Sequence, residues 1–550
     1  MVSSTPITGI IPPQTYTTSH PHFDDMTGFR QAFSLPKSAV LEAMPPGTVK
    51  LYSNEHHESE AAPSSHLQLS PMPSKDPADP LNWTNVTSAS LSSALSFLAM
   101  SFNPPVAQAD LGHLIAVNVL MFGAANIWWV PLSNVFGRRP VILFSLLILT
   151  ACSVWAAEAK SFNSLLAARV FQGIGGATSD SLCPGVIGEI FFRHERGRAM
   201  AIYTVFLTMG PIVGGIIGSY IAAAYGWRWT QWLNVILSGA TLLSCTLFLP
   251  ETFFDRDAAI ALDLAAEGII QQEKEKATVT EKQNIAEYER VSRVVAASHP
   301  YQPYTFARSL RVGLYSGNFV QNFLAPWKTL RLPAVWLVML HYGGLVGGIV
   351  TISTVGPQFV AAPPYNWGAN AGLINIGGLI GSIAGALATF FISDRILKRH
   401  AFRHSHGFSE PESRLPALFP GLFLATMGLL TFGMCEQYVT SGAGWVGLEV
   451  GYGMLVFGVM QVPSIGFNYI IESYPLAAHD CFVMITCLRA IIGFAWTFFV
   501  GTWVERRGAA EPFGIFCMLM GIFGLLTIPI YFYGKRIRIA TEKWFPSTME

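Results

Sequence analysis

Long apolar runs set what this chain can fold into. The stretches 114–135, 141–159, 199–226 and 232–249 each approach the ~20 residues an α-helix needs to cross ~30 Å of hydrocarbon. A backbone in that medium must satisfy its own N–H and C=O groups, so runs of this length dictate helices. Charged residues make up 12% of the chain, against about 25% in soluble domains, and the mean hydropathy is +0.40. The fold class is therefore all-α integral membrane, with many spans.

Twelve spans are read: 86–106, 114–135, 141–159, 164–192, 199–225, 231–250, 333–356, 368–393, 416–436, 443–470, 481–503 and 512–533. They divide the chain into a polar tail (1–80), a first bundle (81–250), a linker (251–330), a second bundle (331–535) and a short tail (536–550). The first tail is rich in Pro, Ser and His without an apolar core, so it is read as disordered and not as a cleavable leader. The linker holds a mixed-charge stretch, Gln271 to Lys276, suited to a solvated helix, and an aromatic and basic part, 301–331, suited to the membrane surface. The first span is the weak one: positions 84–102 contain eight Ser or Thr residues.

Basic residues in the connections orient the chain. Arg138, Arg139, Arg193, Arg196, Arg198, the group from Arg395 to Arg414, and the group from Lys535 to Lys543 all fall on one side. Fourteen basic residues lie there against four on the other (Lys160, Arg228, Arg506, Arg507). Both tails and the linker are expected in the cytoplasm. Zero net charge gives no reason to expect a nucleic-acid partner. The seven cysteines are scattered singly, without zinc or disulfide spacing, and read as packing residues. His400, His404 and His406 lack a Cys or carboxylate to complete a metal sphere, so no metal is expected.

A few ionisable residues stand inside the spans, where a charge is costly and points to function by default. Asp180 sits near the middle of span four. Arg169 lies eleven residues earlier, about three turns and ~16 Å away on the same face, with Gly173 and Gly176 between. Asp180 is read as a proton-coupling carboxylate and Arg169 as the partner that favours its ionised form; a structural ion pair is the alternative. Arg489 in span eleven could hold an anionic substrate group, pair with an acid in the same half, or anchor to backbone carbonyls or helix ends. Glu449 in span ten could line a cavity, or serve packing. His341 in span seven titrates near neutral pH if solvated, but a satisfied core histidine is the simpler reading. Glycines at four-residue spacing (Gly210, Gly214 and Gly218; Gly377, Gly381 and Gly385) allow close helix approach.

Several short motifs carry a resemblance. Asp76-Pro77-Ala78-Asp79-Pro80-Leu81-Asn82-Trp83, Asn134-Val135-Phe136-Gly137-Arg138-Arg139, Arg169-Val170-Phe171-Gln172-Gly173, Gly210-Pro211-Ile212-Val213-Gly214-Gly215, Pro250-Glu251-Thr252 and Ser393-Asp394-Arg395 stand in the right order on the right spans. With them the chain, from about Asp76 onward, resembles fungal major facilitator proteins of the twelve-span drug:proton antiporter group. The resemblance implies a major facilitator fold of two six-helix bundles and proton-driven export of a small organic molecule by alternating access. It implies no cofactor beyond the proton gradient, a monomer in the lipid bilayer, and the plasma membrane as its place. Gly137, Arg138, Arg139, Asp394, Arg395, Gly210, Pro211, Gly214 and Gly215 become conformational-motif residues. The loop after span two departs from the family pattern, since Asn134 takes the Asp position and the first Arg is missing. About one span-length of apolar sequence expected after Trp83 is also missing, so the first helix is expected to be truncated.

Other functions were weighed. Uptake of a nutrient or polyamine is a second transporter reading, which the glycine motif of span five disfavours. An enzyme would need a nucleophile with a base, or a metal cluster, at a membrane face, and neither is legible. A transport-inactive sensor or remnant stays open because of the damaged first span.

Overall fold

Apolar runs that must satisfy their own backbone emerge as helices throughout the computed structural model. It describes residues 29–36, 40, 49–50, 52–53 and 66–67, and then 108–544 apart from 191–192, 250, 252–318, 362, 405–407, 439–442 and 475–476. The side chains of 30–31, 49–50, 52–53, 66–67, 108–111, 188–189, 193–198, 200–201, 321, 390–404, 408–409 and 543 are outside the description as well. The expected first span, Gln271 to Lys276 and the first part of the 301–331 segment lie outside the described residues.

Among the described residues the second to twelfth spans are present. Span two is α2 (Gln108–Ala124) and α3 (Asn126–Phe136), span three α4 (Arg138–Ala157), and span four α5 (Phe162–Gly176) and α6 (Thr178–Ile190). Spans five and six are α7 (Arg193–Tyr225) and α8 (Trp227–Phe248). After a helix in the linker, α9 (Phe319–Thr329), come α10 (Pro333–Ala361), α11 (Asn375–His404), α12 (Leu418–Tyr438), α13 (Gly444–Ser473) and α14 (Ala478–Arg507). Span twelve is α15 (Ala510–Leu525) and α16 (Thr527–Thr541). Ten of these stretches are long and apolar enough to cross a membrane unaided. Span four, which carries Arg169, Gln172 and Asp180, is not one of them; its helix is also interrupted at Ala177, where the amide of Asp180 bonds back only three residues to the Ala177 carbonyl.

Tight connections need a residue that tolerates positive φ, and glycine does so without a Cβ clash. Gly137 (φ 92°) joins α3 to α4, and Gly226 (φ 85°) joins α7 to α8. Antiparallel neighbours follow from such short turns.

The two halves are unequally packed. Among the described residues one large apolar core runs from Leu332 to Met520 and includes Ile212 of the first half, with Ile187 packed against it; smaller clusters form around Leu165, within the first half, and around Trp129, where Val483 and Cys487 join from the second. Of the central window of Gly444–Ser473, 89% is buried, against 11% for Trp227–Phe248. Glycines account for the tightness. A Cβ on Gly385 would sit 2.7 Å from the Phe457 carbonyl oxygen, and one on Gly428 would sit 2.5 Å from that of Gly451. Only glycine lets α11 and α12 approach α13 so closely.

A few pieces of the N-terminal tail are among the described residues. Phe29–Ser34 forms a short helix, α1, whose Ala32 packs on Ile539 and Ala540. Phe29 meets the Trp544 ring edge-on at 6.0 Å, and Arg536 donates to the Phe33 carbonyl at 2.6 Å. Two phenylalanines one helical turn apart give this piece an apolar face, and the guanidinium satisfies its last carbonyls, where a cation is favoured. Two-residue strands, β1 (Val49–Lys50) and β4 (Phe408–Ser409), pair antiparallel, as do β2 (Tyr52–Ser53) and β3 (His66–Leu67). These contacts put Phe29–Ser34 and Val49–Lys50 on the same face as the C-terminus, the face that carries Arg138, Arg414 and Arg538.

Candidate functional site

The site is built where the halves meet. Span two packs along α14 of the second half, and α7 packs along α11. At Gly123 the approach of α2 to α14 is so close that a Cβ would overlap that of Ala490 and lie 2.6 Å from the Thr486 carbonyl oxygen. That contact brings Arg489 over the Phe122 ring, 6.0 Å from its centroid, and against span four.

Arg489 there forms an ion pair with Asp180, through Nη2 and Oδ2. Asp180 is fully buried and Arg489 is 6% exposed. Arg489 Nη1 donates to the Tyr342 hydroxyl at 3.2 Å, and its guanidinium carbon lies 4.9 Å from the Tyr342 ring centre. Among the described residues the pair is under-coordinated: no hydrogen bond reaches Asp180 Oδ1 or Arg489 Nε. Neighbouring polar groups hold the joint of span four. Ser181 donates to the Asn126 side chain, Ser145 and Thr178 hydroxyls meet at 2.7 Å, and Tyr203 donates to the Ser179 carbonyl at 2.9 Å.

The pairing corrects two expectations. Asp180 is matched not by Arg169 on its own helix but by Arg489, 309 residues away in the other half. Arg489 finds its acid across the interface and not within its own half. Helix periodicity relates residues of one helix only, so it could not show this partner.

The remaining candidates are placed apart from the pair. Arg169 lies a few turns away on α5, where its carbonyl accepts from Asn118 at 2.8 Å. Glu449 accepts from the Gly377 amide at the start of α11, where the helix dipole favours a negative charge; it joins two helices of one half and does not face Asp180. His341 is buried, and its Nε2 donates to the Phe523 carbonyl at 2.7 Å.

A second set of contacts gathers at the face bearing the arginine-rich connections. Both carboxylate oxygens of Glu251 accept from α4's first amides, at 2.9 Å from Arg138 and 3.1 Å from Arg139, an anion at a helix N-terminus. Arg139 donates to the Thr246 carbonyl at 2.9 Å. Arg138 reaches across the interface to His479 Nε2, at 3.1 Å, and His479 fills the space a Cβ on Gly185 would need. The departure at Asn134 thus leaves Arg138 and Arg139 engaged, with a histidine of the other half as a partner. On the opposite face Gly215 and Ser219 of α7 pack on Gly372, and Tyr220 donates to Asn370 at 3.0 Å. Gly210, Pro211 and Gly214 lie in the same helix. The side chains of Asp394 and Arg395 lie outside the described residues, as do those of His400 and His404.

Sequence reading missed a buried charge cluster on the basic face of the second half. Arg414 forms a two-pronged pair with Glu472 at 2.7 and 3.0 Å, and Arg538 does the same with Glu412 at 2.7 and 2.8 Å. Lys535 pairs with Glu410 at 2.7 Å. Pro411-Glu412-Ser413-Arg414 beside an apolar run was the available signal, but Arg414 entered only the orientation count.

Residues 82–476 match the Major Facilitator Superfamily. The chain belongs to that family. It is 26% identical to an uncharacterized MFS-type transporter of Schizosaccharomyces pombe, over 91% of this chain and 94% of the relative. It is also 26% identical to a protein of Fusarium oxysporum named efflux pump FUBT, over 84% of this chain and 72% of that one. Among solved structures it is similar to the Escherichia coli xylose transporter XylE in a partially occluded inward open conformation, with a TM-score of 0.50, 14% identity, and coverage of 80% and 93%. That likeness speaks for the fold. The chain is therefore a multi-pass membrane transporter of the major facilitator fold, in which two bundles alternate access to a central site.

Proposed function

We propose that the chain is a proton-coupled exporter of small organic molecules in the plasma membrane, working as a monomer without a cofactor, and that Asp180 carries the proton. Relatives named efflux pumps support export. The observation that carries the coupling is the Asp180–Arg489 pair itself. It is the carboxylate of one bundle held by the cation of the other, buried, with an oxygen and a nitrogen unsatisfied. When the bundles rock apart, Asp180 loses its counter-ion in a medium that penalises a lone carboxylate. A proton then replaces Arg489, and Arg489 displaces the proton when the bundles close. Protonation and bundle separation become one equilibrium, which is what coupling requires.

The test uses proteoliposomes with an internal pH dye and a panel of fluorescent solutes, fluorescein and rhodamine 6G among them. Wild type is expected to move protons when solute moves, and to concentrate solute against its gradient when a pH difference is imposed. Asp180→Asn should lose both, yet still exchange preloaded solute. Asp180→Glu should keep coupling with a shifted pH profile. Wild-type accumulation and pH profile in Asp180→Asn would refute the assignment.

A further inference from the structure

Four charged side chains stand deep in spans four, ten and eleven: Arg169, Asp180, Glu449 and Arg489. Asp180 and Arg489 neutralise one another, and Glu449 sits on a helix N-terminus. Arg169 is left over. Among the described residues no ion pair or hydrogen bond reaches its guanidinium, and its Nε is buried without a partner. The Nη end is not enclosed in this way, and the residue as a whole is part-buried. The side chains of 84–111 lie outside the described residues, and the one acid among them, Asp110, stands eight residues before the Asn118 that meets Arg169, about 12 Å along α2.

Helix geometry says where Arg169 points. It is seven residues into α5, which begins at Phe162 on the face opposite the basic one, so it lies about 10 Å along the span. Gly173 and Gly176 are one and two turns on, on the same face. Both pack on α2, where a Cβ on Gly173 would lie 2.6 Å from the Asn118 carbonyl oxygen, and one on Gly176 3.1 Å from the Phe122 ring. Arg169 therefore faces the bundle and not the lipid. A guanidinium at this depth cannot shed its proton, and leaving it unmatched costs several kcal/mol. A permanent cation held unpaired on the interior face is a receptor for an anion, and its planar fork suits a carboxylate or phosphate oxygen pair.

We infer that Arg169 is an anion subsite, and that the transported molecule is a small organic anion whose carboxylate or phosphate docks there. This rests on the reading of the chain as a solute exporter. Its test needs no gradient, so it can fail independently of proton coupling. Full-length protein in neutral detergent is melted, by tryptophan fluorescence, with millimolar acetate, benzoate or inorganic phosphate. Acetamide and benzamide serve as uncharged isosteres. At least one anion should raise the melting temperature where its isostere does not. Arg169→Gln should weaken that binding about ten- to a hundredfold, the loss of one charge-assisted hydrogen bond, and Arg169→Lys should retain part of it. The folding of Arg169→Gln is checked by its unliganded melt and its elution profile. No anion-specific shift in wild type, or an equal shift in Arg169→Gln, overturns the subsite. So does an anionic lipid, phosphatidylglycerol, that stabilises wild type while none of the small anions does.

Discussion

Removing one member of the Asp180–Arg489 pair should cost more than removing both. Asp180 is fully buried and Arg489 6% exposed, so neither has water to fall back on. Asp180→Asn leaves Arg489 with the Tyr342 hydroxyl and two aromatic faces. These are a poor exchange for a carboxylate. A lone arginine at a helix centre costs about 2.5–3.5 kcal/mol on insertion scales, and breaking a buried pair costs about 3–5 kcal/mol. Arg489→Gln should cost a similar amount, since it strands the Asp180 carboxylate. In Asp180→Asn/Arg489→Gln both charges are gone and two amides can bond to one another. The residual loss is then about 0.5–1.5 kcal/mol, the scale of an ordinary hydrogen bond. The assay is reversible unfolding by SDS titration in mixed micelles, run on all four proteins. The double variant should be more stable than either single. Stability losses that simply add would show that the charges do not compensate one another, and the coupling argument would fall with them.

Other outcomes follow from the same geometry. Arg414→Gln and Glu472→Gln each strand a charge from a pair that is 1% exposed on both sides; each should lose about 3–5 kcal/mol, seen as a reduced monodisperse peak in fluorescence-detected size exclusion, with the double variant recovering. Gly123→Val should push α2 off α14 at a cost of at least about 1–3 kcal/mol, and should abolish cross-linking between Val119→Cys and Gly493→Cys, whose wild-type positions face one another. Protease tags before Met1, at Lys274 and after Glu550 should all resist external protease in intact cells; cleavage at any of them would overturn the orientation drawn from the basic connections.

How far the residues announced this arrangement depends on the range of the interaction. Spans were legible because crossing hydrocarbon is a demand each segment meets alone. Asp180 was legible because depth makes a carboxylate conspicuous. Its partner was not: periodicity on span four offered Arg169, while the true counter-ion sits on another helix of another bundle. That the Glu449 carboxylate meets the first turn of α11 was equally hidden, since no pattern on span ten relates it to another helix. The docked α1 was hidden in a polar tail, since two phenylalanines and a distant Arg536 carry too little signal against so much Pro and Ser.

The uneven packing of the halves has a mechanical consequence. A body locked backbone to backbone by Gly385, Gly428 and their neighbours behaves as a stator, against which the first half, with its two interrupted spans, turns. Strain from a bound solute will relax mainly in the first half, around the joints at Ala125 and Ala177. Changes in what the protein carries should then accumulate among the residues of spans two, four and five, where the scaffold can absorb them. In the second half, Gly385, Gly428 and the other glycines that meet a neighbouring backbone will tolerate few substitutions, even though no solute touches them.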